Sequence, residues 1–75
     1  MNNQQPDIAA TVGRNLKVWR VRQGITQTEI AARLKISQGY FSRLELGKKS
    51  PSLRTLERLA GELGLTVSDL TAAGD

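Results

Sequence analysis

The stretch TQTEIAARLKISQGYFSRLELG, residues 26–47, decides the fold. Thr26-Gln27-Thr28-Glu29 has the form of a capping box, with Thr26 serving the third amide and Glu29 reaching back to the cap. Ile30, Ala31 and Leu34 follow at helical spacing and give a short second helix its apolar face. That helix must end near Lys35, because Ser37 has the character of the next N-cap. Ser37 opens a third helix, Gln38 to Leu46, with Phe41 and Leu44 pointing inward and Gly47 as its stop. Two short helices joined by a three-residue turn must cross steeply, which requires a small residue where they touch. Ala31 supplies it, and Ile36 can plug the corner.

The flanks carry the same punctuation. Upstream, Val12, Leu16 and Trp19 mark one face of a helix from about Ile8 to Gln23, with Asp7 as N-cap and Gly24 as stop. Gly13 inside it lowers helix propensity by about 1 kcal/mol, so its first turn is expected to fray. Trp19 falls in the register of Val12 and Leu16, which assigns it to the core. Downstream, Lys48-Lys49-Ser50-Pro51 is a basic loop. Ser52 then caps a fourth helix whose inner face is Leu53, Leu56, Leu59, Ala60 and Leu63, ended by Gly64; Ser50 with Pro51 is the rival start. Thr66-Val67-Ser68-Asp69 repeats the capping-box form and opens a short fifth helix containing Leu70. No segment alternates with the period of a strand. The expected fold is all-α, five helices around one core.

Composition narrows the functional classes. With 75 residues there is room for one domain and a modest core, and none for a second lobe beside a catalytic cleft. The chain has neither cysteine nor histidine, which removes thiol chemistry and the commonest bases and metal ligands. Its seven acids are scattered, so an enzyme is not expected and no cofactor is called for. The glycines form no Walker or dinucleotide pattern. The first ten residues lack the basic and apolar regions of a signal peptide, and no apolar run approaches the roughly 20 residues of a membrane span. A cytoplasmic, nucleoid-associated protein is expected, with no membrane partner.

Net charge is +4. Between Arg14 and Lys49 stand nine basic residues (Arg14, Lys17, Arg20, Arg22, Arg33, Lys35, Arg43, Lys48 and Lys49) against two acids, Glu29 and Glu45. From Ser50 onward the balance reverses, with Arg54 and Arg58 facing Glu57, Glu62, Asp69 and Asp75. One surface is therefore suited to a polyanion.

These features together resemble the Cro/C1-type (XRE-like) helix-turn-helix regulators. The match runs through Val12–Gly13, Leu16, Trp19–Arg20, Gly24–Ile25–Thr26–Gln27, Ile30–Ala31, Ile36–Ser37, Phe41–Ser42, Leu44–Glu45 and Gly47. It continues through Pro51–Ser52, Leu56, Leu59–Ala60, Leu63 and Val67, and so covers about residues 12–70. The resemblance implies a lambda-repressor-like domain over residues 8–72, between a flexible N-terminal arm (1–7) and a C-terminal tail (73–75). It also implies a sequence-specific regulator of transcription, a repressor, that reads a palindromic operator in double-stranded DNA as a homodimer. Helix 3 would lie in the major groove. The alternative is an antitoxin-like or adaptor module that uses the same fold to bind another protein. No small-molecule effector is evident.

Roles follow position by position. Gln38 matches a base-reading position whose amide can pair with adenine, and Arg43 a second, suited to guanine. Gly39 occupies a base-facing position without a side chain, a departure that leaves readout to Gln38, Arg43 and DNA shape. Thr26, Gln27 and Ser37 match phosphate-binding positions at helix starts. Ser42 matches a phosphate or groove-wall contact, and Tyr40 stands between that role and the core edge. Lys48 and Lys49 would hold flanking phosphates. Arg20 and Glu45 match an ion pair that ties helix 1 to the end of helix 3. Leu65, Val67 and Leu70 are the expected dimer surface. Lys35 stands where the family usually has glycine, so either it adopts a left-handed conformation costing roughly 1 kcal/mol or the turn differs slightly.

Overall fold

The computed structural model describes residues 7–73. In chain order the helices are α1 (Ile8–Gln23), α2 (Gln27–Leu34), α3 (Gln38–Glu45), α4 (Leu53–Leu63) and α5 (Val67–Thr71). Among the described residues there is no strand. Of the expected arm and tail, only Asp7 and Ala73 lie within the described residues.

Each helix begins on a short polar side chain that accepts a first-turn amide. Asp7 takes that of Ala9, Thr26 that of Glu29, Ser37 that of Tyr40, Ser52 that of Thr55 and Thr66 that of Asp69. Ser52, rather than Ser50, therefore starts α4. Thr26 and Thr66 form full capping boxes with Glu29 and Asp69. At the other end α3 closes one residue earlier than expected, with Leu46 as its C-cap.

The core gathers the inward positions of all five helices: Val12, Leu16, Ile30, Leu34, Phe41, Leu44, Leu59 and Leu70 are almost wholly shielded. Trp19, Ile25, Ile36, Tyr40, Leu65 and Val67 pack around its edge. One position expected inside is outside. Leu53 is 63% exposed, because the first turn of α4 projects beyond the core that Leu56, Leu59, Ala60 and Leu63 reach.

Two local features fix how the helices meet. Lys35 adopts φ 60°, the left-handed conformation, and is the one non-glycine described residue that does so. That strain of roughly 1 kcal/mol is offset by hydrogen bonding at the end of α2. The Lys35 amide donates to Ala32 O at 3.1 Å and that of Ile36 to Ala31 O at 3.0 Å. Arg58 Nη1, from α4, donates to Leu34 O at 2.9 Å.

The second feature is the glycine of α1. Gly13 is buried in α1, and a Cβ there would lie 2.6 Å from the Glu45 carbonyl oxygen and closer still to that of Leu44. This glycine is the point where the end of α3 reaches the α1 backbone. It is a seam between helices.

Candidate nucleic-acid interface

The interface is assembled from the first turns of α2 and α3 and the loop after α3. At the α2 start, Thr26 Oγ1 accepts from the Glu29 amide at 3.1 Å and the Thr26 amide donates to Glu29 Oε1 at 2.8 Å. The Thr26 hydroxyl proton is left for an outside acceptor. Ser37 repeats the arrangement on α3, its Oγ accepting from the Tyr40 amide at 3.0 Å. Both hydroxyls stand at helix N-termini, where peptide dipoles favour an anion.

Behind these turns lies an ion pair. Arg20 Nε is 2.6 Å from Glu45 Oε2, and the side chains are only 15% and 4% exposed. Arg20 Nη2 also donates to Glu45 Oε1 at 3.2 Å, and Nη1 to Ile25 O at 3.0 Å. The planar guanidinium thus joins α1, the entry to α2 and the end of α3 through one side chain.

Gln27 is drawn into this cluster. Its Nε2 donates to Glu45 Oε1 at 2.8 Å, and its Oε1 accepts from Gln38 Nε2 at 3.4 Å. Each end of the Gln27 amide is thus engaged within the protein, and one N–H and one oxygen lone pair remain over. Gln38, exposed at the start of α3, also accepts from the Thr28 hydroxyl at 3.2 Å. Thr28 was not singled out from sequence. Its partner lies 10 residues away across the turn, and no short motif encodes that contact.

Along the outward face of α3, Gly39 and Arg43 are exposed. A Cβ at Gly39 would meet only Arg43 Nη1, at 3.8 Å, so the arginine folds back over the bare glycine. Tyr40 is half-buried against the core and Ser42 is half-buried as well, whereas Lys48 and Lys49 are exposed. Arg33, exposed on α2, lies 5.6 Å from the Trp19 ring centroid and donates to Glu62 O at 3.2 Å.

The residues expected to pair protomers separate. Leu65 and Val67 are half-buried at the core edge, but Leu70 is only 1% exposed and belongs to the core itself. Asn15 holds α5 there, its Nδ2 donating to Leu70 O at 2.8 Å and Ala72 O at 2.9 Å. A five-residue helix must bury its single large apolar side chain to stay docked, so Leu70 is not available to a partner.

The family model described as Helix-turn-helix matches residues 16–70. The chain belongs to the Cro/C1-type helix-turn-helix family. This helix-turn-helix protein is 40% identical over 58 residues to the immunity repressor protein of Bacillus phage phi105, a match covering 77% of this chain and 40% of that protein. It is 39% identical over 69 residues to the HTH-type transcriptional regulator y4dJ of Sinorhizobium fredii, covering 92% of this chain and 90% of that one. Control protein C.MunI of a Mycoplasma species is 35% identical over 65 residues, covering 85% and 88%. Among solved structures, the clp gene regulator ClgR of Corynebacterium glutamicum superposes with a TM-score of 0.76 at 34% identity, over 87% of this chain and 69% of that one. A hypothetical Neisseria transcription factor gives 0.78 at 23% identity, over 95% and 84%, which speaks to fold alone. These relatives carry the names of regulators, not of enzymes. No described helix is long and apolar enough to cross a membrane.

Proposed function

We infer that this helix-turn-helix protein binds double-stranded DNA sequence-specifically and regulates transcription as a repressor, working in the cytoplasm on nucleoid DNA. The observation that carries this is the start of α3: Gln38, Gly39 and Arg43 are exposed on one short helix whose other face is locked into the core. A helix held that rigidly can enter a major groove without being remodelled.

Gln38 reads one base pair and Arg43 another, while Gly39 admits close approach of the DNA. The hydroxyls of Thr26 and Ser37, the Gln27 amide, Ser42, the Tyr40 edge, Lys48 and Lys49 meet phosphates on either side. Contacts from so small a domain are too few for tight binding alone, so two copies read a palindromic operator with half-sites about 34 Å apart. Leu65 and Val67 remain the candidates for the pairing surface. The repressor and control-protein names of the relatives favour this assignment.

Selection of bound sequences from a random duplex pool tests it, with affinities then measured at two salt concentrations. An inverted repeat with half-sites one helical turn apart is the expected result. Lys48→Ala should weaken binding to all sequences alike and lower the salt slope by about one unit. Salt-dependent binding without a consensus would remove sequence reading. Absence of binding would transfer the fold's role to a protein partner.

A further inference from the structure

A side-chain amide donates at one end and accepts at the other, and turning it over exchanges the two. At most surfaces either orientation is open. Here each amide is dictated by the group behind it. The Glu45 carboxylate, held by Arg20 and almost buried, can only accept. Gln27 must therefore present Nε2 to it, at 2.8 Å, which turns Oε1 outward. A carbonyl oxygen also only accepts, so Gln38 must present its own Nε2, at 3.4 Å. That leaves Gln38 Oε1 facing Thr28, whose hydroxyl donates to it across 3.2 Å.

We propose that the Arg20–Glu45 pair sets, through Gln27, which end of the Gln38 amide faces which way on the DNA surface, and that Thr28 is a specificity-determining positioning residue that locks this orientation. The proposal rests on the assignment of Gln38 as a base reader. Gln38 keeps one N–H and one oxygen lone pair unused, the pair of groups that adenine N7 and N6 require. Turned over, the amide would set its oxygen against adenine N7 and its NH2 against N6, and pair with neither. Locked, it keeps the one orientation that reads adenine on that strand, so the relay converts a charge in the interior into strand polarity at the surface.

The test uses the full chain and the operator recovered from a random pool. The base pair read by Gln38 is first identified as the one whose preference Gln38→Ala abolishes. Wild-type affinity is then measured for that operator and for the same duplex with this pair inverted, with an expected ratio of about 5- to 150-fold. Thr28→Val, which keeps the shape and removes the donor, should lower the ratio by about 2- to 10-fold while the thermal midpoint stays at the wild-type value. Thr28→Ser should restore it. Glu45→Gln, whose amide can donate as well as accept, should lower the ratio further in whatever fraction folds. In the free protein, nuclear Overhauser contacts should connect the Gln38 side-chain NH2 to Gln27.

A Thr28→Val ratio equal to wild type overturns the proposal, as does a loss of affinity common to both duplexes with the ratio untouched. Contacts from the Gln38 NH2 to Thr28 instead of Gln27 overturn the polarity directly. If Gln38→Ala abolishes no preference, the base-reading assignment itself fails, an outcome distinct from failure at Thr28.

Discussion

The two ends of α3 meet opposite demands, and each is marked by a glycine inside a helix. Where α3 ends, Gly13 of α1 admits the Leu44 and Glu45 carbonyls so closely that no side chain fits between them. Beside that seam the Arg20–Glu45 pair is almost shielded from water. Where α3 begins, Gly39 is exposed, and a side chain added there would meet only the Arg43 guanidinium. Both glycines lower helix propensity by a similar amount. At Gly13 the tertiary structure requires the loss; at Gly39 nothing in the free protein does. The lesson is that a glycine without a packing reason, on a face already suspected of binding, points to something that approaches from outside.

Substitutions can break or sharpen that contrast. The largest effect is expected at the seam. Gly13→Ala should destabilise the protein by about 3 kcal/mol or more, since backbone carbonyls cannot step aside as side chains do; urea unfolding measures it, and a change within about 1 kcal/mol would mean the seam yields. Arg20→Ala should cost about 3 kcal/mol in the same assay, because it strands Glu45 in a site with little water. On the outward face stability and binding should part company. Arg43→Ala should leave the unfolding curve in place yet weaken operator binding by about 1–3 kcal/mol, with preference relaxed at a single base pair. An equal loss on every sequence would reassign Arg43 to phosphate. The smallest change is expected at Gly39: Gly39→Ala should stabilise the free protein by about 0.5–1 kcal/mol while weakening operator binding. A variant that gains stability and binds as well as wild type would leave the glycine without a function.

Local structure was the most legible part of this chain. The caps at Asp7, Thr26, Ser37, Ser52 and Thr66 and the inward register of Phe41 and Leu44 could be read from their neighbours, whereas the left-handed Lys35 followed from the family resemblance. The candidate interface was legible only as a set of positions. Its residues carry recognisable types at recognisable offsets from a helix start, but what each side chain already touches was hidden. Nothing near Gln27 in the sequence shows that Glu45 holds its amide. Leu70 looked like surface until α5 folded it under, and Leu53 like core until α4 overran the edge.

The physical reason is the range over which each feature is determined. A capping box closes between atoms three residues apart, so the sequence by itself determined where helices begin, where most of them stop and which face of each is apolar. Arg20 and Glu45 are 25 residues apart, and Asn15 lies 55 from the carbonyl it secures. Such pairs acquire a distance only once the core has closed. Only the tertiary structure therefore decided that Gly13 is a seam, that Leu70 is interior, and that Gln38 reaches the surface with its amide already held from behind.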